Sequence, residues 1–117
     1  MTNNDDPRSI RRLSASEVAE QIGRSSDGVP ITIIDVREPY EYEGGHLPGS
    51  VHIPLGALER RLGEIPRDRP VIFICRSGGR SLKACQLAVG AGIANPVNLE
   101  GGLRAWASEV DPSLVVL

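Results

Sequence analysis

The chain has 117 residues, 40% of them hydrophobic and 24% charged, which suits one soluble domain with a real core and is too short for two. A formal net charge of −2 gives no overall attraction to nucleic acid or to an anionic membrane surface, so neither is expected as a partner. No apolar run reaches the roughly 20 residues of a membrane span. Met1 to Pro7 is too polar for a secretory signal. The two cysteines make no disulfide framework, so a reducing, cytoplasmic setting is expected.

Residues 1–9 read as a frayed, disordered tail ahead of a domain spanning about 10–110. Ser14 and Glu17 have the spacing of a capping box, with Leu13 and Val18 at the staple positions, predicting a helix to about Gly23. Ile31 to Ile34 is a β-branched run that reads as a buried strand. Asp35-Val36-Arg37-Glu38 follows, and Pro39 suits the first turn of a short helix through about Tyr42. Glu43 to Gly49 is dense in turn formers and predicts a shaped loop. Ser50 to Ile53 is a third strand candidate. Leu55, Leu58, Leu62 and Ile65 recur at helical spacing, and Pro66 ends that helix.

Val71 to Ile74 predicts a fully buried strand. Cys75 stands at its end, followed by Arg76, Ser77, Gly78, Gly79, Arg80 and Ser81, with a helical pattern from about Arg80 carrying Leu82, Cys85, Ala88 and Val89 on one face. Pro96 to Leu99 is a last strand and Leu103 to about Glu109 a last helix bearing Trp106. Residues 111–117 form a C-terminal tail whose place the pattern does not give. Strands alternating with helices imply a mostly parallel sheet covered on both faces, with ligands beyond the strands' carboxyl ends.

The stretch from Cys75 to Ser81 carries the chemistry. In a strand–loop–helix layout, backbone N–H groups converge near the helix N-terminus and favour an anion there. A thiol at that point becomes more acidic and more nucleophilic. From Val71 to Leu99 there are three cations, Arg76, Arg80 and Lys83, and no carboxylate, so the ligand expected is a small anion. Arg76 and Arg80 are candidate contacts to it, with Arg80 at the helix start. Ser77 and Ser81 either donate hydroxyls to the site or cap the helix. Gly78 and Gly79 allow φ > 0 and close approach of substrate. Cys85, on the apolar stripe, reads as core ahead of a resolving thiol, and Trp106 as core or lid packing. His46 reads as a structural hydrogen bonder in its turn, while His52 carries no signal.

Taken together, Asp35-Val36-Arg37-Glu38 with Glu41, Gly45-His46-Leu47-Pro48-Gly49-Ser50, Cys75 to Ser81, and Glu100-Gly101-Gly102 with Trp106 resemble, in order, the motifs of the rhodanese family of sulfurtransferases. The resemblance implies an α/β three-layer sandwich with a mostly parallel five-stranded sheet flanked by helices on both faces. It also implies a cycle in which Cys75 takes a sulfane sulfur from a donor such as thiosulfate, holds it as a persulfide and passes it to cyanide, a thiol or a protein. Such chemistry requires neither a metal nor an organic cofactor. Asp35 and Arg37 are expected to support the site structurally, Arg37 by pairing with Glu38 or Glu41. Two other readings compete: a persulfide carrier or a non-catalytic binding module that keeps the fold and serves a partner protein, and a cysteine phosphatase, which uses a similar thiolate and anion nest. Phosphatases space the cysteine and arginine as Cys-x5-Arg, whereas here Arg80 falls at Cys-x4-Arg and Ser81 follows. The shorter loop favours sulfur over phosphate.

Overall fold

The computed structural model describes residues 6–28 and 30–117. Five strands, β1 (Arg11–Leu13), β2 (Thr32–Asp35), β3 (Val51–His52), β4 (Val71–Ile74) and β5 (Val97–Leu99), form one sheet in the order β1-β5-β4-β2-β3. Every pairing is parallel. The helices are α1 (Ala15–Ser25), α2 (Pro39–Gly44), α3 (Leu55–Arg61), α4 (Gly79–Gly90) and α5 (Gly102–Glu109), and a 3₁₀ turn, Leu62–Glu64, extends α3.

Side-chain alternation along the strands sorts the core into two layers. Val71, Phe73 and Cys75 face one way and pack with Leu58 of α3 and with Ala84, Cys85 and Ala88 of α4. Ile72 and Ile74 face the other way, against Ala15 and Val18 of α1 and Leu103 and Trp106 of α5. Both faces of β4 are therefore dry, and each fully buried Ile or Phe contributes about 1.5–3 kcal/mol of transfer free energy. This is the three-layer α/β architecture expected. The central strand runs straight into the Cys75 loop.

The capping box of α1 forms: Glu17 N–H donates to Ser14 Oγ at 3.2 Å and Ser14 N–H to Glu17 Oε1 at 2.9 Å. The helix runs to Ser25, two residues beyond Gly23. The strand at Arg11–Leu13 has no counterpart in the local sequence pattern, because it is short, two of its three residues are arginines, and it is mostly exposed. Its partner, β5, is remote in sequence, with Arg12 opposite Asn98. Of the tail expected over residues 1–9, residues 1–5 lie outside the described residues. At 6–9 the chain is tied to Asn95, whose Nδ2 donates to the carbonyls of Asp6 and Ser9 and whose N–H donates to that of Pro7. At the other end, Leu114 and Val116 pack against the α1/α5 layer. The Leu117 carbonyl accepts from Arg76 Nε at 2.9 Å, so residues 114–117 lie along the domain beside the Cys75 loop.

Candidate active site

The site is built at the carboxyl end of β4. Gly78 is the N-cap of α4, with φ +104°, a left-handed conformation that favours glycine. That turn folds the loop back over Cys75. Gly78 N–H donates to Cys75 Sγ at 3.0 Å and Ser81 N–H at 3.4 Å, with the Ser81 hydroxyl 3.3 Å away. Cys75 is 1% exposed, at the floor of the loop. Burial pushes its thiol up, but the hydrogen bonds a thiolate can take from Ser81 and from the Gly78 and Ser77 amides outweigh it and bring the thiol below the ordinary cysteine value. Gly79 has open space around its Cα, so it is Gly78 and not Gly79 that the turn requires.

The loop is held from below by the start of α5. Leu103 N–H donates to the Cys75 carbonyl at 2.9 Å and Arg104 N–H to that of Arg76 at 3.1 Å. Gly102, at φ +63°, passes so close that a Cβ there would stand 2.5 Å from the Arg76 carbonyl and 2.6 Å from Ser77 N. The Glu100-Gly101-Gly102 segment is thus a template for the loop rather than a spacer.

The two arginines expected at the substrate both have protein partners. Arg80 forms a two-pronged pair with Glu41 of α2, at 2.7 and 2.9 Å. The guanidinium holds the Glu41 carboxyl at about 2, well below its ordinary 4.5. Arg76, exposed, reaches the Leu117 carbonyl. Ser77 is exposed on the loop, while Ser81 is fully buried and turned to the sulfur rather than capping the helix.

Arg37 pairs with Asp35, correcting the partners expected from sequence. Arg37 Nε lies 3.0 and 3.1 Å from the two Asp35 oxygens and Nη2 2.9 Å from one of them. Nη2 also donates to the Gly45 carbonyl at 2.7 Å, and both side chains are 0% exposed. The pair braces the end of β2 against the loop that follows α2, and so sets the helix from which Glu41 reaches Arg80. Glu41 also closes the start of α2, accepting from Glu38 N–H at 2.9 Å.

His46 Nδ1 is 2.8 Å from the Tyr42 carbonyl, the structural role expected. His52 does more than its strand position suggested: Nε2 is 2.8 Å from the Arg37 carbonyl. The Tyr42 ring is stacked between the two histidines, with centroids 3.8 Å from His46 and 4.4 Å from His52. Cys85 is fully buried in the α4 layer, as expected of a core residue, and burial followed by the nearby Cys75 charge pushes its thiol up to about 12. Sequence reading missed Asn98, on β5 and 1% exposed, which bonds to Ser81, Gly78 and Glu100. Its only signal in the sequence was a polar residue inside an otherwise apolar strand.

A parallel α/β domain whose central strand ends in a cysteine met by backbone amides at a helix N-terminus defines a class of proteins that present a thiol inside a loop of converging N–H groups. The family model for the rhodanese-like domain matches residues 14–109. A protein of Allochromatium vinosum named sulfurtransferase is 38% identical over 98 residues, covering 84% of this chain and 89% of its own. A Bacillus subtilis protein, YrkF, named as a candidate sulfur carrier, is 40% identical over 81 residues, covering 69% of this chain and 44% of its own. Among solved structures, a rhodanese-like domain protein from Staphylococcus aureus superposes with a TM-score of 0.78 at 27% identity, covering 92% of this chain and 99% of that one. The chain belongs to the rhodanese-like family. It is of the sulfurtransferase or sulfur-carrier type.

Proposed function

We propose that this chain is a cytoplasmic sulfurtransferase that moves a sulfane sulfur from a small anionic donor, thiosulfate in the simplest case, through a persulfide on Cys75 to a thiol, protein or cyanide acceptor. The observation that carries this reading is the convergence of the Gly78 and Ser81 N–H groups on Cys75 Sγ at the N-terminus of α4. In the first half-reaction the thiolate attacks the outer sulfur of thiosulfate. The donor's S–S bond breaks, its electron pair leaves with sulfite, and Cys75 carries a persulfide anion. In the second, an acceptor nucleophile takes the outer sulfur and the Cys75 thiolate returns. Negative charge stays over the loop throughout, where preorganised amides stabilise it without rearranging.

In this reading residues 76–81 form the cradle, with the backbone of Ser77, Gly78, Gly79 and Ser81 holding the anion. Arg76 supplies positive charge at the rim. Arg80, neutralised by Glu41, fixes the start of α4, and the Asp35–Arg37 pair supports α2 behind it. The nearly closed floor around Cys75 suits a donor that presents a single terminal sulfur. The likeness to YrkF favours a second reading of the same chemistry, in which the acceptor is a protein and the chain acts as carrier.

Thiocyanate formation from thiosulfate and cyanide tests the proposal. Cys75→Ala is expected to lower turnover more than about 1,000-fold, as loss of a covalent nucleophile does. Unchanged turnover in that variant would overturn the proposal. Loading of Cys75 by thiosulfate with release only to a protein thiol would favour the carrier.

A further inference from the structure

Asn98 is a polar side chain, 1% exposed, on the strand beside the one that ends at Cys75. Its Nδ2 lies 3.2 Å from the Gly78 carbonyl and 3.2 Å from Glu100 Oε2. Both of those groups only accept, so the amide must turn its NH₂ toward them and its Oδ1 toward Ser81. The Ser81 hydroxyl sits 2.5 Å from that Oδ1 and 3.3 Å from Cys75 Sγ. A hydroxyl has one proton to give. Asn98 Oδ1 can only accept, so the proton lies on the Asn98 side, and Ser81 presents a lone pair to the sulfur. A lone pair receives a thiol S–H and repels a thiolate.

We propose that Asn98 is a positioning residue that fixes the direction of the Ser81 hydroxyl, and so holds Cys75 in its thiol form until the Ser81 proton turns toward the sulfur. On ionisation the S–H proton leaves to solvent and the Ser81 O–H swings from Oδ1 to Sγ. Asn98 Oδ1 is left without its donor in a buried place, which opposes the step. The Gly78 and Ser81 amides favour the thiolate and Asn98 sets a counterweight, so the two together tune where Cys75 ionises. The other titratable and charged groups about Cys75 include Arg76 on the loop, Arg80 and Cys85 on α4, Arg104 on α5, Glu41 of α2 behind Arg80, the Asp35–Arg37 pair at the end of β2, and Glu100, which Asn98 holds and Arg12 faces. The bearing of this switch on sulfur transfer rests on the proposed role of Cys75. The placement of the proton does not.

The test follows alkylation of Cys75 by iodoacetamide against pH, read by mass spectrometry on the Cys75 peptide. Asn98→Leu, which frees the Ser81 proton to donate to the sulfur, is expected to lower the midpoint by about one pH unit. Adding Ser81→Ala to that variant should raise the midpoint again, and by more than Ser81→Ala does in the native background. A folded Asn98→Leu protein whose midpoint is unchanged or higher overturns the proposal. Should Asn98→Leu fail to fold, the Asn98 side-chain carbonyl ¹³C resonance of the native protein gives the answer. It is expected to move with the Cys75 midpoint and to lose that movement in Ser81→Ala. A flat response, or one that persists in Ser81→Ala, overturns the proposal. Alkylation needs no sulfur donor, so a chain that shows these midpoints yet transfers no sulfur would count against the proposed function alone.

Discussion

Cys75 and Cys85 are ten residues apart in sequence, lie in the same apolar cluster between the sheet and α4, and are 1% and 0% exposed. Their acidities nevertheless diverge. Cys85 is pushed up to about 12, whereas Cys75 falls below the ordinary value. Burial acts in the same direction on both, so burial does not make the difference. What Cys75 has and Cys85 lacks is a set of backbone N–H groups aimed at its sulfur. A helix side chain in mid-helix is surrounded by amides already committed to the helix, whereas one before a helix N-terminus meets amides with no other partner.

That contrast is broken most severely by moving the loop. Gly102→Ala would push a methyl group into the Arg76 carbonyl at a φ that side chains rarely adopt. It should cost about 1–3 kcal/mol in strain. Displacement of the amides by a fraction of an ångström or more should lower kcat/KM for sulfur transfer up to about 100-fold. The alkylation midpoint of Cys75 should rise toward that of Cys85. A folded Gly102→Ala protein with native kinetics would mean that the loop does not depend on its template.

A smaller effect is expected from Glu41→Gln, which releases Arg80 at the start of α4. Arg80 is 36% exposed, so the loss should fall below that of a fully buried pair, at about 1–3 kcal/mol near neutral pH. Activity should fall roughly 3–10-fold through looser positioning. The pH dependence has a definite sign. Because folding lowers the Glu41 carboxyl from 4.5 to about 2, its contribution is complete above 4.5 and is lost as pH falls toward 2. Denaturant melts at pH 7 and pH 3 should therefore show a smaller loss of stability in Glu41→Gln than in the native chain.

Cys85→Ala should have the smallest effect on function. Removing one buried sulfur should cost about 1 kcal/mol in a thermal melt and leave turnover within about twofold. A large loss of activity would give Cys85 a part in the chemistry that its surroundings do not suggest.

The loop was legible in the sequence because its parts are contiguous: four apolar residues, a cysteine and two glycines describe strand, thiol and turn without outside help. The partners of its side chains were not. Glu41 reaches Arg80 across 39 residues, and Asn98 meets Ser81 across 17. Nothing local marks either contact. The same reason hid β1, whose pattern of exposed arginines resembles a loop until β5 lies beside it. The resemblance to a family supplied the fifth strand where periodicity showed four. The sequence points Arg37 to Glu38 or Glu41, while its own backbone turn places it on Asp35, where Arg37 N–H also donates to Oδ1 at 3.0 Å.

The most direct measurement is to treat the native protein with thiosulfate and locate added sulfur on the two cysteines by mass spectrometry under non-reducing conditions. One sulfur atom on Cys75, none on Cys85, and loss of the adduct on adding cyanide or a thiol acceptor is the predicted result. Sulfur on Cys85, or none on either cysteine with any sulfane donor offered, would contradict the account.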